Sequence, residues 1–215
     1  MQLLNLEDVL RTYGRGVVFY SPRWDPETGA PLALTHLGDT EGDIAFNPNA
    51  EVTGMTTPEV TGPAIHEADF TGENPVLEFP LFLADPALMA IVSPKGSAHG
   101  GRNGRTKPTE YTLVVLPEAL FGEDRAALAF AAGAWTLDGV PLTAAQLALL
   151  DTALFLWRGF FNRPARRFLG GVGDAKRNIE SVTFQVMHAA AMPQGHKLYT
   201  TGDPADAAID IEGGS

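Results

Sequence analysis

The chain has 215 residues, 45% of them hydrophobic, 26 acidic residues against 15 Lys and Arg for a net charge of -11, and no cysteine. That length suits one large domain or two small ones with a real core, and zero cysteine excludes disulfides, thiol nucleophiles and cysteine-ligated metal centres. The charge is divided: Met1 to Val92 holds 14 acidic residues against Arg11, Arg15 and Arg23, whereas Ser93 to Ser215 holds 12 of each sign. A chain of this kind is expected to repel polyanions and to dock acidic surface against basic segments of its own copies.

In chain order, Leu3–Leu10 reads as a short amphipathic helix, with Asn5 as N-cap and Glu7 and Asp8 in the first turn. Strand-like runs follow. Val17–Tyr20 ends at Pro22, Asp25–Gly29 reads as a hairpin loop, and Leu32–Leu34 continues as the next strand. Asp43–Pro48 is another short run, and the breaks at Pro58, Gly62 and Pro63 predict a long extended excursion. Val76–Leu83 alternates with Leu77, Phe79, Leu81 and Leu83 on one face; Pro80, which cannot donate to a ladder, predicts a sheet edge or a bulge. Asp85–Val92 reads as a short helix with proline at its first position.

Thr109–Leu116 alternates as a strand. Ala126–Trp135 is ambiguous between a helix, for its alanines, and strand and turn, for Gly133 and the Leu137–Val140 that follows. Thr143 and Gln146 form a capping box, and the spacing of Leu147, Leu150, Leu154, Trp157 and Phe161 predicts one long buried helix over Ala144–Phe161. Ile179–Met187 alternates as the last strong strand, and a short polar tail starts at Asp203. Many short strands with one long helix and short flanking helices read as mainly β, antiparallel β or α+β, in a single domain spanning 1–215. No apolar run is long enough to span a membrane, and Met1 is not followed by the pattern of a secretory signal, so a soluble protein of a reducing compartment is expected.

Catalytic and cofactor motifs are scarce. The five histidines (His36, His66, His99, His188 and His196) show no metal-ligand spacing. Asp39–Asp43 has acids at alternate positions but lacks the later bidentate Glu of a calcium loop, so it reads as an acidic turn. Gly170–Arg177 lacks phosphate-loop spacing and a following helix, and no serine sits in a nucleophile elbow. Neither an enzyme nor a cofactor or metal is expected. The stretch around Lys95, Arg102, Arg105 and Lys107 is Gly-rich, basic and without an aromatic residue for base stacking. It reads as a solvated, mobile loop at about 95–107, or as a basic arm for another subunit.

Gly38–Asn47, with Gly-Asp-Thr-Glu-Gly-Asp-Ile-Ala-Phe-Asn, together with Gly72–Phe79, Ile179–Met187 and Met192–Pro204, resembles major tail tube proteins of long, flexible-tailed bacteriophages. The resemblance is spread over most of the chain. It implies an antiparallel β-sandwich or barrel-like protomer with a flanking helix. Six such protomers would form a ring whose inner strands make a continuous β-barrel, and stacked rings would form the tail tube through which DNA passes. The partners implied are other copies of the chain, the tape-measure protein, and terminator and tip proteins; the site implied is the virion tail, after assembly in the host cytoplasm.

Phosphates are repelled by carboxylates, so Asp39, Glu41, Asp43, Glu67, Asp69, Glu73 and Glu78 are candidates for an acidic lumen that lets DNA slide without specific binding. Lys95, Arg102, Arg105 and Lys107 are candidates for self-assembly contacts. The rival readings are a head–tail joining or other virion structural protein, and a small-molecule-binding β-barrel or enzyme.

Overall fold

The computed structural model describes residues 16–40, 43–55, 67–82, 88, 91–92, 108–120, 127–162, 166–167, 179–192 and 196–202. The protein is mainly β, built on one large antiparallel sheet. Strand β1 (Gly16–Pro22) turns through a 3-10 segment at Pro26–Thr28 into β2 (Leu32–Thr40). Asp25 caps that turn by accepting from the Glu27 amide, and Gly29 closes it at φ 65, a left-handed conformation that glycine adopts without a Cβ penalty. β1 then pairs with β7 (Tyr111–Pro117), and β7 with β11 (Leu154–Phe161). β11 pairs with β13 (Ile179–Val186), and β13 with β6 (Val76–Phe82).

β6 also pairs with the far end of β2, Asp39 opposite Phe82 and Thr40 opposite Leu81. The ladder β1-β7-β11-β13-β6-β2 therefore closes on itself as a six-stranded antiparallel ring. All six strands send side chains into one buried cluster, including Val18, Leu37, Phe79, Leu113, Leu156 and Phe184. Closure satisfies the edges that an open sheet would leave.

A second core lies on the outer face of β1, β7 and β11. The first part of β2 leaves the ring to pair with β8 (Leu128–Ala131), which continues through β9 (Ala134–Leu137) to β10 (Val140–Pro141). Both connecting turns have two central residues at positive φ, Ala132 (52°) with Gly133 (75°) and Asp138 (49°) with Gly139 (79°). That geometry matches the right-handed twist of the flanking strands. The Ala126–Trp135 ambiguity is thereby settled as strand and turn. Five rings make a closed circuit in this core: Trp24, Phe130, Trp135, Phe155 and Trp157, with centroids 4.9–6.4 Å apart between neighbours. Trp157 donates its indole N–H to Thr200 Oγ1 at 2.8 Å, and Thr112 donates to the Trp157 carbonyl at 2.7 Å, so the polar groups of this core are paired.

The long helix expected over Ala144–Phe161 is corrected. The capping box forms, Thr143 accepting from the Gln146 amide and Gln146 reaching back to the Thr143 amide, but helix α1 ends at Leu150. After the turn at Asp151 and Thr152 the chain is strand β11. Leu154, Leu156 and Phe161 enter the ring interior, while Phe155 and Trp157 enter the outer core. A strand buried on both faces reads as a continuous apolar run and imitates a helix that is apolar all round. Leu147, expected on the buried face, is exposed.

The sheet edge or bulge expected at Pro80 is corrected: Pro80 lies within β6 inside the closed ring, opposite Ser181 of β13 in regular register. The Val186 amide donates to the Pro75 carbonyl at 3.0 Å, so odd positions of β6 address β13 and the nitrogen of Pro80 faces the other side. There β3 (Ala45–Asn47) covers positions 76–78 and β2 covers 81–82, leaving Pro80 in the gap between them. Among the described residues no ladder acceptor is denied a donor.

Of the helix expected over Asp85–Val92, Leu88, Ile91 and Val92 are described and are helical. The expected helix at Leu3–Leu10, the Gly-rich stretch Gly170–Arg177 and the tail from Asp203 lie outside the described residues. No helix among the described residues is long and apolar enough to cross a membrane.

Candidate assembly surface

Between β3 and β6 the chain forms a two-stranded ribbon, β4 (Ala50–Met55) paired with β5 (Glu67–Glu73). Among the described residues these strands pair with each other and with no third strand. At about 3.3 Å per residue, six paired positions extend roughly 20 Å. The described residues from Asp43 through Glu78 include Asp43, Glu51, Glu67, Asp69, Glu73 and Glu78 and no Lys, Arg or His. This is the acidic part of the chain given a location. Val52, Thr53 and Thr71 are β-branched and suit an extended ribbon; Pro58, Gly62 and Pro63, whose breaks predicted a long extended excursion, lie outside the described residues.

The described lumen candidates lie on different strands and loops. Asp43 and Glu78 are exposed beside the ring, Glu78 opposite Ala45 of β3 and Thr183 of β13. Asp39 lies at the β2–β6 closure, opposite Phe82. In the ribbon, Asp69 is opposite Thr53 and Glu67 opposite Met55. A bulge at Thr71 then shifts the register, Phe70 pairing with Val52 but Gly72 with Glu51. An extra residue reverses the alternation, so Glu73 takes the opposite parity from Glu67 and Asp69. Glu41 and the four basic candidates Lys95, Arg102, Arg105 and Lys107 lie outside the described residues.

Glu73 has a specific partner that the sequence did not signal. The Tyr199 phenol, on β14 (Tyr199–Thr201), lies beside the Glu73 carboxylate. Burial first, then that carboxylate, raises the Tyr199 phenol above its ordinary value of 10.0. The same ring meets Phe46 of β3 edge-on, with centroids 5.0 Å apart.

A second polar cluster sits on the ring wall. Arg158 makes a two-point pair with Glu110, Nε to Oε2 at 2.9 Å and NH2 to Oε1 at 2.8 Å, and donates to the His188 carbonyl at 3.1 Å. Arg23 joins from the exposed side at 3.3 Å. The hydrogen bond to Glu110 is the main cause that raises Arg158 above its usual value. Arg158 is thus committed within its own chain, whereas Arg166 and Arg167 form β12, opposite Ser181 and Glu180. Among the described residues no three His, Asp or Glu side chains are grouped to hold a metal ion. No protein-family model matches the chain, and no curated protein matches it in sequence.

Proposed function

We propose that the chain is a structural protein that assembles with its own copies, and that its specific form is the subunit of a phage tail tube, stacked in hexameric rings around a conduit for DNA. The observation that carries this reading is the acidic β4–β5 ribbon. A two-stranded ribbon by itself is marginally stable in water, and its two outer edges carry backbone donors and acceptors that the described strands leave open. Such an edge is a template for another strand. Neighbouring copies of the ribbon, side by side around a ring, would satisfy those groups and give a continuous sheet. The resemblance to tail tube proteins supplies the particular assembly. The ribbon strands, acid-rich and without Lys, Arg or His among their described residues, support an inner surface that does not hold phosphates.

The test is assembly of the purified protein, followed by sedimentation and negative-stain microscopy over a range of concentration and salt. Tubes or stacked rings are the expected result. Single rings that never stack would favour the head–tail joining reading, and a monomer under every condition would overturn both. A variant with Arg102→Ser, Arg105→Ser and Lys107→Ser is expected to polymerise more slowly at an unchanged melting temperature. Each exposed pair is worth only about 0–1 kcal/mol, but the loss multiplies around a ring.

A further inference from the structure

We propose that Tyr199 and Gln185 form a clasp at the root of the β4–β5 ribbon and set the angle at which it leaves the barrel. The chain enters and leaves the ribbon at two points, Pro48–Asn49 and Asn74–Pro75, and these are tied together. The Asn74 amide donates to the carbonyls of Pro48 at 3.1 Å and Asn49 at 3.3 Å, and Asn49 Nδ2 donates to the Asn74 carbonyl at 3.0 Å. Asn49 sits at φ 45, which breaks the strand between β3 and β4. A root of this kind is a pivot unless something beyond the ribbon holds it.

Two strands from the C-terminal part of the chain do so. Gln185 of β13 donates from Nε2 to Asn74 Oδ1 at 2.7 Å and to the Pro75 carbonyl at 3.1 Å. Tyr199 of β14 faces both halves of the root, its ring packed edge-on against Phe46 before β4 with centroids 5.0 Å apart and its phenol beside the Glu73 carboxylate at the end of β5. The bulge at Thr71 is what gives Glu73 the parity opposite to Asp69, a re-aiming of one side chain of the kind bulges provide. β14 is itself anchored, because it pairs with β11 from Leu154 to Leu156 and Thr200 holds the Trp157 indole. The barrel wall, the C-terminal strand and the ribbon are therefore one connected unit.

The consequence for assembly rests on the function proposed above. A ribbon held at one angle meets its neighbour already in the competent state, whereas a pivoting ribbon binds with affinity reduced by the fraction of time it points correctly. The clasp itself does not depend on that reading.

Spin labels test it, since the chain has no cysteine of its own. With Thr53→Cys on β4 and Thr35→Cys on β2 as the two label sites, the monomer is expected to give a single narrow distance peak. Adding Tyr199→Phe and Gln185→Leu is expected to abolish that peak and give a broad distribution. Glu73→Ala, which leaves the barrel untouched, is expected to broaden it as well and decides the matter if the double variant does not fold. An unchanged narrow peak in Glu73→Ala and in the folded double variant overturns the clasp, whether or not tubes form. A broadened peak upholds it, and a chain that forms no tubes with or without the substitutions then counts against the assembly reading alone.

Discussion

The Phe184 ring of β13 occupies the space that a side chain at Gly159 of β11 would need. A Cβ at Gly159 would collide with the Phe184 ring and with the Gln185 carbonyl oxygen. This is the point where β11 passes from pairing with β14 to pairing with β13, beside the irregularity between Leu156 and Gly159. Because one of the two obstacles is backbone, a rotamer change cannot relieve the clash. Gly159→Ala is expected to destabilise the fold by about 1–3 kcal/mol or more, seen as a lower urea midpoint at an unchanged slope. A variant as stable as the native chain would show that the ring does not close as described.

Thr200 and Trp157 give a second measurable pair. Thr200→Val keeps the shape but removes the acceptor of the buried indole N–H, which then has no partner. The expected loss is about 1–3 kcal/mol, with a change in tryptophan emission that reports on the ring circuit. Equal stability of Thr200→Val and native protein would contradict the pairing.

Alkaline pH should weaken the protein through its tyrosines. Burial, followed by the Glu73 carboxylate, raises Tyr199 above 10.0; burial, followed by Tyr20, raises Tyr111 against a smaller opposing hydrogen bond to Thr109. In both cases the folded chain holds the phenolic proton more tightly than the unfolded chain does. Their contribution to stability is therefore complete below pH 10.0 and is lost as pH rises through the folded-state values. The urea midpoint is expected to fall above pH 10, and less steeply in a Tyr111→Phe, Tyr199→Phe variant. A variant midpoint that falls as steeply as the native one would remove the tyrosines as the cause.

Duplex DNA separates the conduit reading from a nucleic-acid-binding one. A chain of net charge -11 whose β4 and β5 strands carry acids and no Lys, Arg or His is expected to bind duplex DNA weakly or not at all at physiological salt. Fluorescence anisotropy measures this. Tight binding that falls steeply with salt, and disappears when Arg102 and Arg105 are neutralised, would make this a DNA-binding protein.

Much of the fold follows from short-range pattern. The alternation of Val182, Phe184 and Val186 against Ser181, Thr183 and Gln185 identified β13, because one face is apolar and packs in the ring interior and the other is polar. Asp25–Gly29 marked the β1–β2 hairpin through its own capping chemistry, and Thr143 with Gln146 marked the start of α1. The concentration of acid before Val92 was equally plain, since net charge needs no coordinates.

Tertiary structure decided where each strand lies in the closed ring. Leu154–Phe161 became a strand because the ring interior and the outer core offered burial on both faces, and a run that is apolar on both faces carries no period that distinguishes strand from helix. Tertiary structure also decided the parity of the acids, because a bulge at Thr71 is invisible until the partner strand fixes the register. The Tyr199–Glu73 contact is a pairing of distant segments, and only closure of the ring brings β14 to the root of the ribbon. Local propensity determines which residues extend and where they turn; which of them meet is determined by the burial that the closed ladder makes possible.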